Sequence, residues 1–379
     1  NTRMLLIKPV YGQLDAPKRW YLEATRRLTS LGWTPHPLDP CLWRLFEPAT
    51  EGECPVLCGL LTLHVDDMLG TGNPQSQTYM AAEAALKQAF SFRTWQKDEP
   101  FEYCGAKMYR DDDGTWHVDH QSYISKISPL PLEKSRQPHQ PMSDREHTML
   151  RQLLGSLQWP AVQSSPHLQA STSLLSGEMS SGLSSPLLEA NRLLRFAKSN
   201  SDVHLRFPPL GDLKDLRITC MFDAALGVRH DGSSQGGFLI LLTHKEAYAG
   251  IESPYHLLEW RSMRLPRVAR SSLAAEVQSA AAAVDSTEFV VRFWQMMMDP
   301  RLTLRETLQI TNTTLTPTFI TDAKALYDSF HRDSINHGAT DKRTNLELRV
   351  IREQVESVGG LLKWISSERQ FGDGFTKVA

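Results

Sequence analysis

The chain has 379 residues, with 43 acidic and 41 basic side chains and a formal net charge of −2. This length predicts two or three domains. The near-neutral charge gives no overall support for binding to nucleic acid, so any such surface has to be local. No apolar run approaches the ~20 residues of a membrane span, and no secretory signal opens the chain.

The first third alternates helical and extended patterns. Apolar residues recur at helical spacing from Ala16 to Leu31 before Gly32, which predicts a helix. The proline-rich segment 34–40 is predicted to have no regular structure. A strand is predicted over 41–46. The cysteines, which are scattered and lack zinc-site spacing, are expected to be reduced thiols in an intracellular protein.

An apolar run from residue 60 leads to two adjacent carboxylates, Asp66 and Asp67, and returns through an apolar pair to Gly70. This pattern predicts a β-hairpin whose turn carries both acids. Adjacent acids repel each other unless they are solvated or neutralised, and a divalent cation for phosphoryl transfer would neutralise them. The alternative is that Asp-Asp is ordinary turn chemistry.

The middle of the chain offers structure but no chemical motif. A helix is predicted over 77–90, two short strands over 103–110 and 116–119, and a helix over 122–127. Residues 132–146 are polar and contain prolines, which favours a linker. Residues 147–200 are predicted to form helices interrupted by Ser/Gly/Pro-rich stretches.

After residue 211 the pattern becomes three strands followed by alternating helices and strands, which is typical of one mixed α/β layer. Strands are predicted over 216–223, 236–243, 256–263, 318–321 and 361–365. Four helices are predicted: one that begins at 271, one over 323–330, one that ends at 358 and one that begins at about 371.

Four acidic residues fall at the ends of these C-terminal elements. They are Asp223 after the first strand, Glu276 in the first turn of the long helix, Asp322 after the fourth strand and Asp373 in the last helix. Strand ends and helix starts gather along one crevice of an α/β sheet. Four carboxylates there would hold two divalent ions ~3.5–4 Å apart, which suits attack on a phosphodiester. The alternative is that each is an ordinary capping or surface acid.

A local basic stripe precedes the long helix and could follow a phosphate backbone, although it could also be a solvated face. It consists of Arg261, Arg264, Arg267 and Arg270.

The motifs together resemble the reverse transcriptase–ribonuclease H end of a copia-type LTR retrotransposon Pol polyprotein. Three motifs of the first part follow the family order: YGQLDAPKRWY (11–21) resembles LYGLKQAPRAWY, DPCLW (39–43) resembles DPCLF, and HVDD (64–67) stands where the family has YVDD. Three motifs of the last part do the same: SSLAAE (271–276) resembles SSAEAE, TDAKA (321–325) resembles CDNQSA, and FGDGFTK (371–377) resembles LADILTK.

The resemblance implies a ribonuclease H catalytic quartet of Asp223, Glu276, Asp322 and Asp373. In the family, two Mg²⁺ ions, with Mn²⁺ as a substitute, activate a water that cuts the RNA strand of an RNA–DNA hybrid. Asp223 would bridge the metals, and the other three would complete their shells. Asp66 and Asp67 would be polymerase metal ligands.

The implied fold is α+β and α/β over several domains. We expect a partial reverse-transcriptase palm and thumb over 1–130, a helical connection over 131–210 and a ribonuclease H-like mixed-sheet domain over 211–379. The implied partners are RNA–DNA hybrid, primer–template and the rest of the Pol polyprotein N-terminal to residue 1. The protein would be located in the cytoplasm, a virus-like particle or the nucleus, and no membrane would be involved.

The polymerase half departs from the family pattern. The family's first metal-binding Asp lies upstream of the YGLKQAPR-like segment, and this chain begins with Asn1 only ten residues before it. We therefore expect a piece of a longer chain with an incomplete polymerase site. His64 in place of Tyr is a further departure. The competing hypothesis is a decayed or repurposed relic that binds nucleic acid without turnover; a purely structural protein would need no converging acids.

Overall fold

A computed structural model of the chain describes residues 12–50, 52–97, 100–310, 315–332 and 341–377. Tyr11, with which the first motif begins, lies outside these ranges. The helices are α1 (Ala16–Ser30), α2 (Gln77–Ala89), α3 (Gln121–Lys126), α4 (Asp144–Gln163), α5 (Gln169–Glu178), α6 (Ser185–Ser199), α7 (Ser272–Met298), α8 (Leu304–Thr307), α9 (Lys324–His331) and α10 (Lys342–Ser357).

The strands form three sheets. They are β1 (Thr34–His36), β2 (Asp39–Phe46), β3 (Leu57–His64), β4 (Asp67–Gly72), β5 (Phe101–Tyr103), β6 (Ala106–Arg110), β7 (Trp116–Asp119), β8 (Leu205–Phe207), β9 (Leu216–Ala225), β10 (Gln235–His244), β11 (Tyr255–Arg264), β12 (Pro317–Thr321) and β13 (Leu361–Trp364).

The chain divides into two compact units. The first comprises Asn1–Lys97 with Arg292–Leu308, and the second comprises Asp98–Val291 with Gln309–Ala379. The predicted fold class, mixed α and β over more than one domain, is confirmed. The domain boundaries at 130 and 210 stay a prediction.

In the first unit, β1 to β4 form an antiparallel sheet in sequence order, and its core contains residues of α1, α2 and the strands, with Trp33 and Trp43 almost fully buried. The prediction that 34–40 is irregular is wrong, because Pro35 pairs with Trp43 and His36 with Asp39. Proline is tolerated there because β1 is an edge strand, where one N–H side needs no partner.

The predicted hairpin is confirmed as β3 and β4, with one correction. His64 pairs with Asp67 across the ladder, so the two-residue turn consists of Val65 and Asp66. Asp67 is the first residue of β4 and does not lie in the turn.

In the second unit, β5 to β8 form an antiparallel sheet, and α3 to α6 share a core of leucines and alanines. Helix α4 begins at a capping box: Ser143 Oγ accepts from the Glu146 N–H, and the Glu146 carboxylate accepts from the Ser143 N–H at 2.8 Å. This reciprocal pairing satisfies backbone donors that the first turn would otherwise leave open. It starts the helix inside the predicted linker.

The remaining sheet has the order β11-β10-β9-β12-β13, with antiparallel pairing among β9 to β11 and parallel pairing from β9 to β12 and β13. Three antiparallel strands followed by two parallel strands, with helices between them, make the mixed-sheet α/β fold predicted for the C-terminal part. The last predicted helix is a 3₁₀ turn over Phe371–Phe375. Gly372 and Gly374 disfavour a continued α-helix there.

Candidate active site

Three of the predicted aspartates converge at one end of the five-stranded sheet. Asp223 lies on β9, Asp322 directly follows β12, and Asp373 lies in the 3₁₀ turn. The parallel register pairs Met221 with Ile320, so the two strands bring Asp223 and Asp322, each two residues further on, side by side. One carboxylate oxygen from each of the three aspartates lies within 4.8 Å of the others.

Glu276 joins them from the second turn of α7. It is only 9% exposed, and its Oε2 atom has no hydrogen-bond partner among the described residues. All four acids line one cavity of about 320 Å³, together with Ser272, Lys324 and Lys377. The predicted quartet is therefore one cluster in space, although its elements come from distant parts of the chain.

The cluster is electrostatically unfavourable without positive charge. Burial, followed by repulsion from Asp223 and Asp322, raises the pKa of Glu276 to about 9, while a hydrogen bond from the backbone of Ala224 opposes this rise. Burial also raises the pKa of Asp223 to about 6, and the neighbouring Asp373 adds to that rise. Such shifts occur where charged carboxylates are desolvated close to one another.

The donor set suits a hard divalent cation. All four side chains offer carboxylate oxygens, which Mg²⁺, Mn²⁺ and Ca²⁺ prefer. Within the described ranges, the buried Glu276 Oε2 has no hydrogen-bond partner, which a buried polar oxygen requires, and a cation would supply one. Lys377 compensates part of the negative charge, since its Nζ lies 2.8 Å from Asp373 Oδ1, and this contact raises the pKa of Lys377.

Several residues that sequence reasoning missed hold the aspartates in place. The Thr376 hydroxyl donates to Asp223 Oδ2, and Ser279 Oγ donates to the Asp223 carbonyl at 2.8 Å. Gln370 is buried and donates from Nε2 to the Phe222 carbonyl at 3.0 Å. Thr376 lies within a motif noted above, but no sequence signal distinguishes Ser279 or Gln370.

The hairpin acids belong to the first unit. Asp66 and Asp67 are exposed at the β3–β4 turn, where Val65 has a φ of 55° and its carbonyl accepts from Trp20 Nε1 at 2.6 Å. Positive φ is costly for a β-branched residue, so the turn is strained. Among the described residues, the group of three or more potential metal ligands is the one at Asp223, and Asp66 and Asp67 do not belong to such a group.

The basic stripe is partly committed to ion pairs. Arg264 Nη2 lies 2.9 Å from Asp231, and Arg267 pairs with Glu347. Arg261 and Arg270 are exposed. Half of the stripe is thus already neutralised by the protein itself.

Two further expectations concerned reduced cysteines and membrane-spanning segments. All five cysteines lie in the described ranges as free thiols. Over those ranges, no helix combines the length and apolar character that crossing a bilayer demands.

Comparison with known proteins confirms the resemblance inferred from the motifs. No family model matches the chain. The chain is 27% identical over 289 residues to the retrovirus-related Pol polyprotein from transposon RE1 of Arabidopsis thaliana, and 25% identical to that from transposon RE2. Each alignment covers 73% of this chain and 18% of the relative, so the chain spans about a fifth of the length of these polyproteins.

Among solved structures, RNase H1 from Halobacterium salinarum overlaps 41% of this chain and 89% of its own length, at 10% identity and a TM-score of 0.23. The prototype foamy virus protease–reverse transcriptase overlaps 41% of this chain and 18% of its own, at 14% identity and a TM-score of 0.24. The mixed-sheet α/β fold of the C-terminal part is established by the strand order described above.

Proposed function

We propose that the second unit cleaves the RNA strand of RNA–DNA hybrids, as the ribonuclease H part of a retrotransposon Pol polyprotein. The observation that carries the proposal is the convergence of Asp223, Asp322, Asp373 and Glu276 on one cavity, with a Glu276 oxygen buried and unpaired. The chain would act inside the cell, on hybrid and primer–template nucleic acid, linked to further Pol segments.

The four carboxylates would hold Mg²⁺, for which Mn²⁺ could substitute, in two sites. Divalent cations bound there would neutralise the carboxylates and stabilise negative charge that develops on the phosphodiester. Asp223 would bridge the two cations, because one of its carboxylate oxygens lies within 4.8 Å of an oxygen of Asp322 and one of Asp373. Asp322 and Asp373 would each contribute carboxylate oxygens to one of the two cation sites, and Glu276 would contribute its oxygen from the buried side.

The protein also prepares the site without the cation. Sheet register places Asp223 beside Asp322, and the Thr376 hydroxyl orients the Asp223 carboxylate. Lys324 stands at the cavity wall, with its Nζ 5.6 Å from the centre of the Trp364 ring and 5.1 Å from that of Tyr327. Its Nζ also lies 3.0 Å from Asp328 Oδ1, so part of its charge is already compensated within α9.

The test is cleavage of an end-labelled RNA–DNA hybrid by the purified chain in Mg²⁺. We expect cleavage that Asp322→Asn abolishes and that Asp212→Asn, an exposed acid of the same unit paired with Lys214, leaves unchanged. Retained hybrid binding without cleavage would favour the alternative of a nucleic-acid-binding relic. Equal cleavage by the wild type and Asp322→Asn would overturn the proposal.

We propose that the β3–β4 hairpin belongs to the polymerase part of the same polyprotein. It would lie in a domain over 1–130, which a helical connection over 131–210 would join to the ribonuclease domain over 211–379. The supporting observation is the strained β3–β4 hairpin, in which Asp66 of the turn and Asp67 at the start of β4 are both exposed. The test is primer extension by a longer Pol segment that contains this chain. Asp66→Asn should abolish extension and leave hybrid cleavage intact; unchanged extension would overturn this role.

A further inference from the structure

The segment that carries Asp373 has little secondary structure of its own to hold it. It is a 3₁₀ turn of five residues, Phe371–Phe375. Its position against the sheet is set instead by buried side chains that bond to its backbone. Gln370 ties its start to β9, as described above, and Ser262 of β11 ties its end, since Ser262 Oγ donates to the Phe375 carbonyl at 2.5 Å.

Ser262 belongs to a row of buried and half-buried polar side chains. Gln235 on β10 is fully buried, and its Nε2 donates to Ser262 Oγ at 2.7 Å and to Ser173 Oγ of α5 at 3.1 Å. Arg229 donates from Nη1 to Gln235 Oε1 and from Nη2 to the Ser173 carbonyl at 3.2 Å. The row therefore runs from α5 across two strands to the backbone of the 3₁₀ turn.

The direction of each hydrogen bond in this row is determined. A guanidinium can only donate, so the Gln235 atom facing Arg229 has to be the carbonyl oxygen, and both amide hydrogens point to the two serines. Because Ser262 Oγ accepts from Gln235, its own hydrogen is available for the Phe375 carbonyl. That carbonyl can only accept, which closes the row.

The row ends next to the acidic cluster. Thr376 directly follows Phe375 in the chain and is 1% exposed. Its hydroxyl donates to Asp223 Oδ2, and its N–H donates to the Asp373 carbonyl at 3.1 Å. A displacement of the Phe375 backbone would therefore move both the Thr376 hydroxyl and Asp373 relative to Asp223.

We propose that Gln235 and Ser262 are positioning residues for the acidic centre, which hold the Asp373 turn against Asp223 and so set the affinity of the centre for divalent cations. The inference deepens the proposed function and rests on it for the cation. It also gives α5, outside the five-stranded sheet, a part in the site through Ser173. Substitution of residues that orient metal ligands commonly lowers metal affinity by ~10–100-fold.

The test uses the whole chain with two variants and one control. Gln235→Glu keeps the shape and the Arg229 contact but removes the donor to Ser262, and Ser262→Ala removes the hydroxyl. Thr243→Val removes an equally buried hydroxyl from the other end of β10, where it meets Thr219 Oγ1 at 3.0 Å. The control thus reports the stability loss from a missing buried hydrogen bond without touching the turn.

Two readouts do not depend on catalysis. Hydrogen exchange should accelerate at the backbone amides of Gly372 and Thr376 in both variants and not in Thr243→Val. Mn²⁺ binding, measured from the free-ion electron paramagnetic resonance signal, should weaken about tenfold in both variants and stay at the wild-type value in the control.

Wild-type exchange and Mn²⁺ affinity in Gln235→Glu and Ser262→Ala would overturn the inference, as would equal losses in the Thr243→Val control. A wild-type chain that binds no Mn²⁺ would also overturn it. A wild type that binds Mn²⁺ tightly but leaves hybrid uncut would refute the proposed ribonuclease activity alone, because the exchange and binding comparisons would still decide the positioning role.

Discussion

Gly237 of β10 lies in close contact with Phe375 of the 3₁₀ turn. A Cβ atom added at Gly237 would lie 2.5 Å from the Phe375 Cβ and 3.0 Å from its carbonyl carbon and oxygen. Gly237 is also the residue that pairs with Asp223 across the β9–β10 ladder. The missing side chain therefore leaves the space in which the Asp373 turn approaches the central aspartate.

Gly237→Ala should displace the turn and remove hybrid cleavage while the sheet still forms. A methyl group forced against backbone atoms costs about 1–3 kcal/mol of unfolding free energy, because backbone moves less easily than the end of a side chain. Chemical denaturation and hybrid cleavage would measure the two effects. Gly374→Ala is the matched control, since a Cβ there meets nothing within 4 Å; similar losses in both variants would contradict this account.

Glu276→Gln should stabilise the metal-free chain at alkaline pH. The folded-state pKa of Glu276, about 9, is above its ordinary value of 4.5. The stability associated with this group is therefore fully present below its ordinary pKa and is lost as the pH rises towards the folded-state value. We expect the variant to melt at a higher temperature than the wild type at pH ~8 in EDTA, and the difference to shrink near pH ~5.

Differential scanning calorimetry at the two pH values, with EDTA and with Mg²⁺, would measure this effect. Mg²⁺ should raise the melting temperature of the wild type more than that of Glu276→Gln, because the cation neutralises the charge that the variant lacks. A variant less stable than the wild type at the higher pH in EDTA would show that burial of the Glu276 carboxylate is not unfavourable.

Arg44→Ala should destabilise the first unit strongly. Arg44 is 3% exposed and donates to the carbonyls of Pro35, at 3.1 Å, and Met296. Removing it leaves two carbonyls without their donor and a cavity, which we expect to cost about 3 kcal/mol. Urea denaturation would measure the loss. Arg26→Ala, an exposed arginine paired with Glu23, should change stability by less than about 0.5 kcal/mol.

Ser143→Ala should destabilise the helical core of the second unit by about 1 kcal/mol, because it removes the N-cap of α4 and half of the capping box. Thermal unfolding would measure the change. Thr148→Ala is the control within the same helix: its exposed hydroxyl donates to the Asp144 carbonyl at 3.0 Å, and alanine favours the helix. Equal destabilisation by both changes would exclude capping as the cause.

Most regular elements could be predicted from the sequence, because their signals are local. The alternation around residues 216–223 and the apolar–acidic–apolar pattern around Asp66 identify strands, since side chains alternate across a strand whatever it packs against. The sequence likewise placed the four acids near element ends, and their convergence is what α/β sheets produce by gathering such ends. Two of the predicted positions were wrong, because β9 continues two residues beyond Asp223 and Glu276 lies in the second turn of α7. Local signals failed where a neighbouring strand overrode them, as at Pro35 in β1.

The character of the acidic site was decided only by tertiary structure. The isolation of Glu276 Oε2, and the burial that raises the pKa of Glu276, depend on which residues surround the carboxylate. The contact from Ser262 to Phe375 joins residues 113 positions apart, and no periodicity in a single chain records such a pair. Sequence by itself determined which residues are acidic and which backbone elements carry them; packing between distant elements determined their desolvation, their repulsion and the hydrogen bonds that hold them.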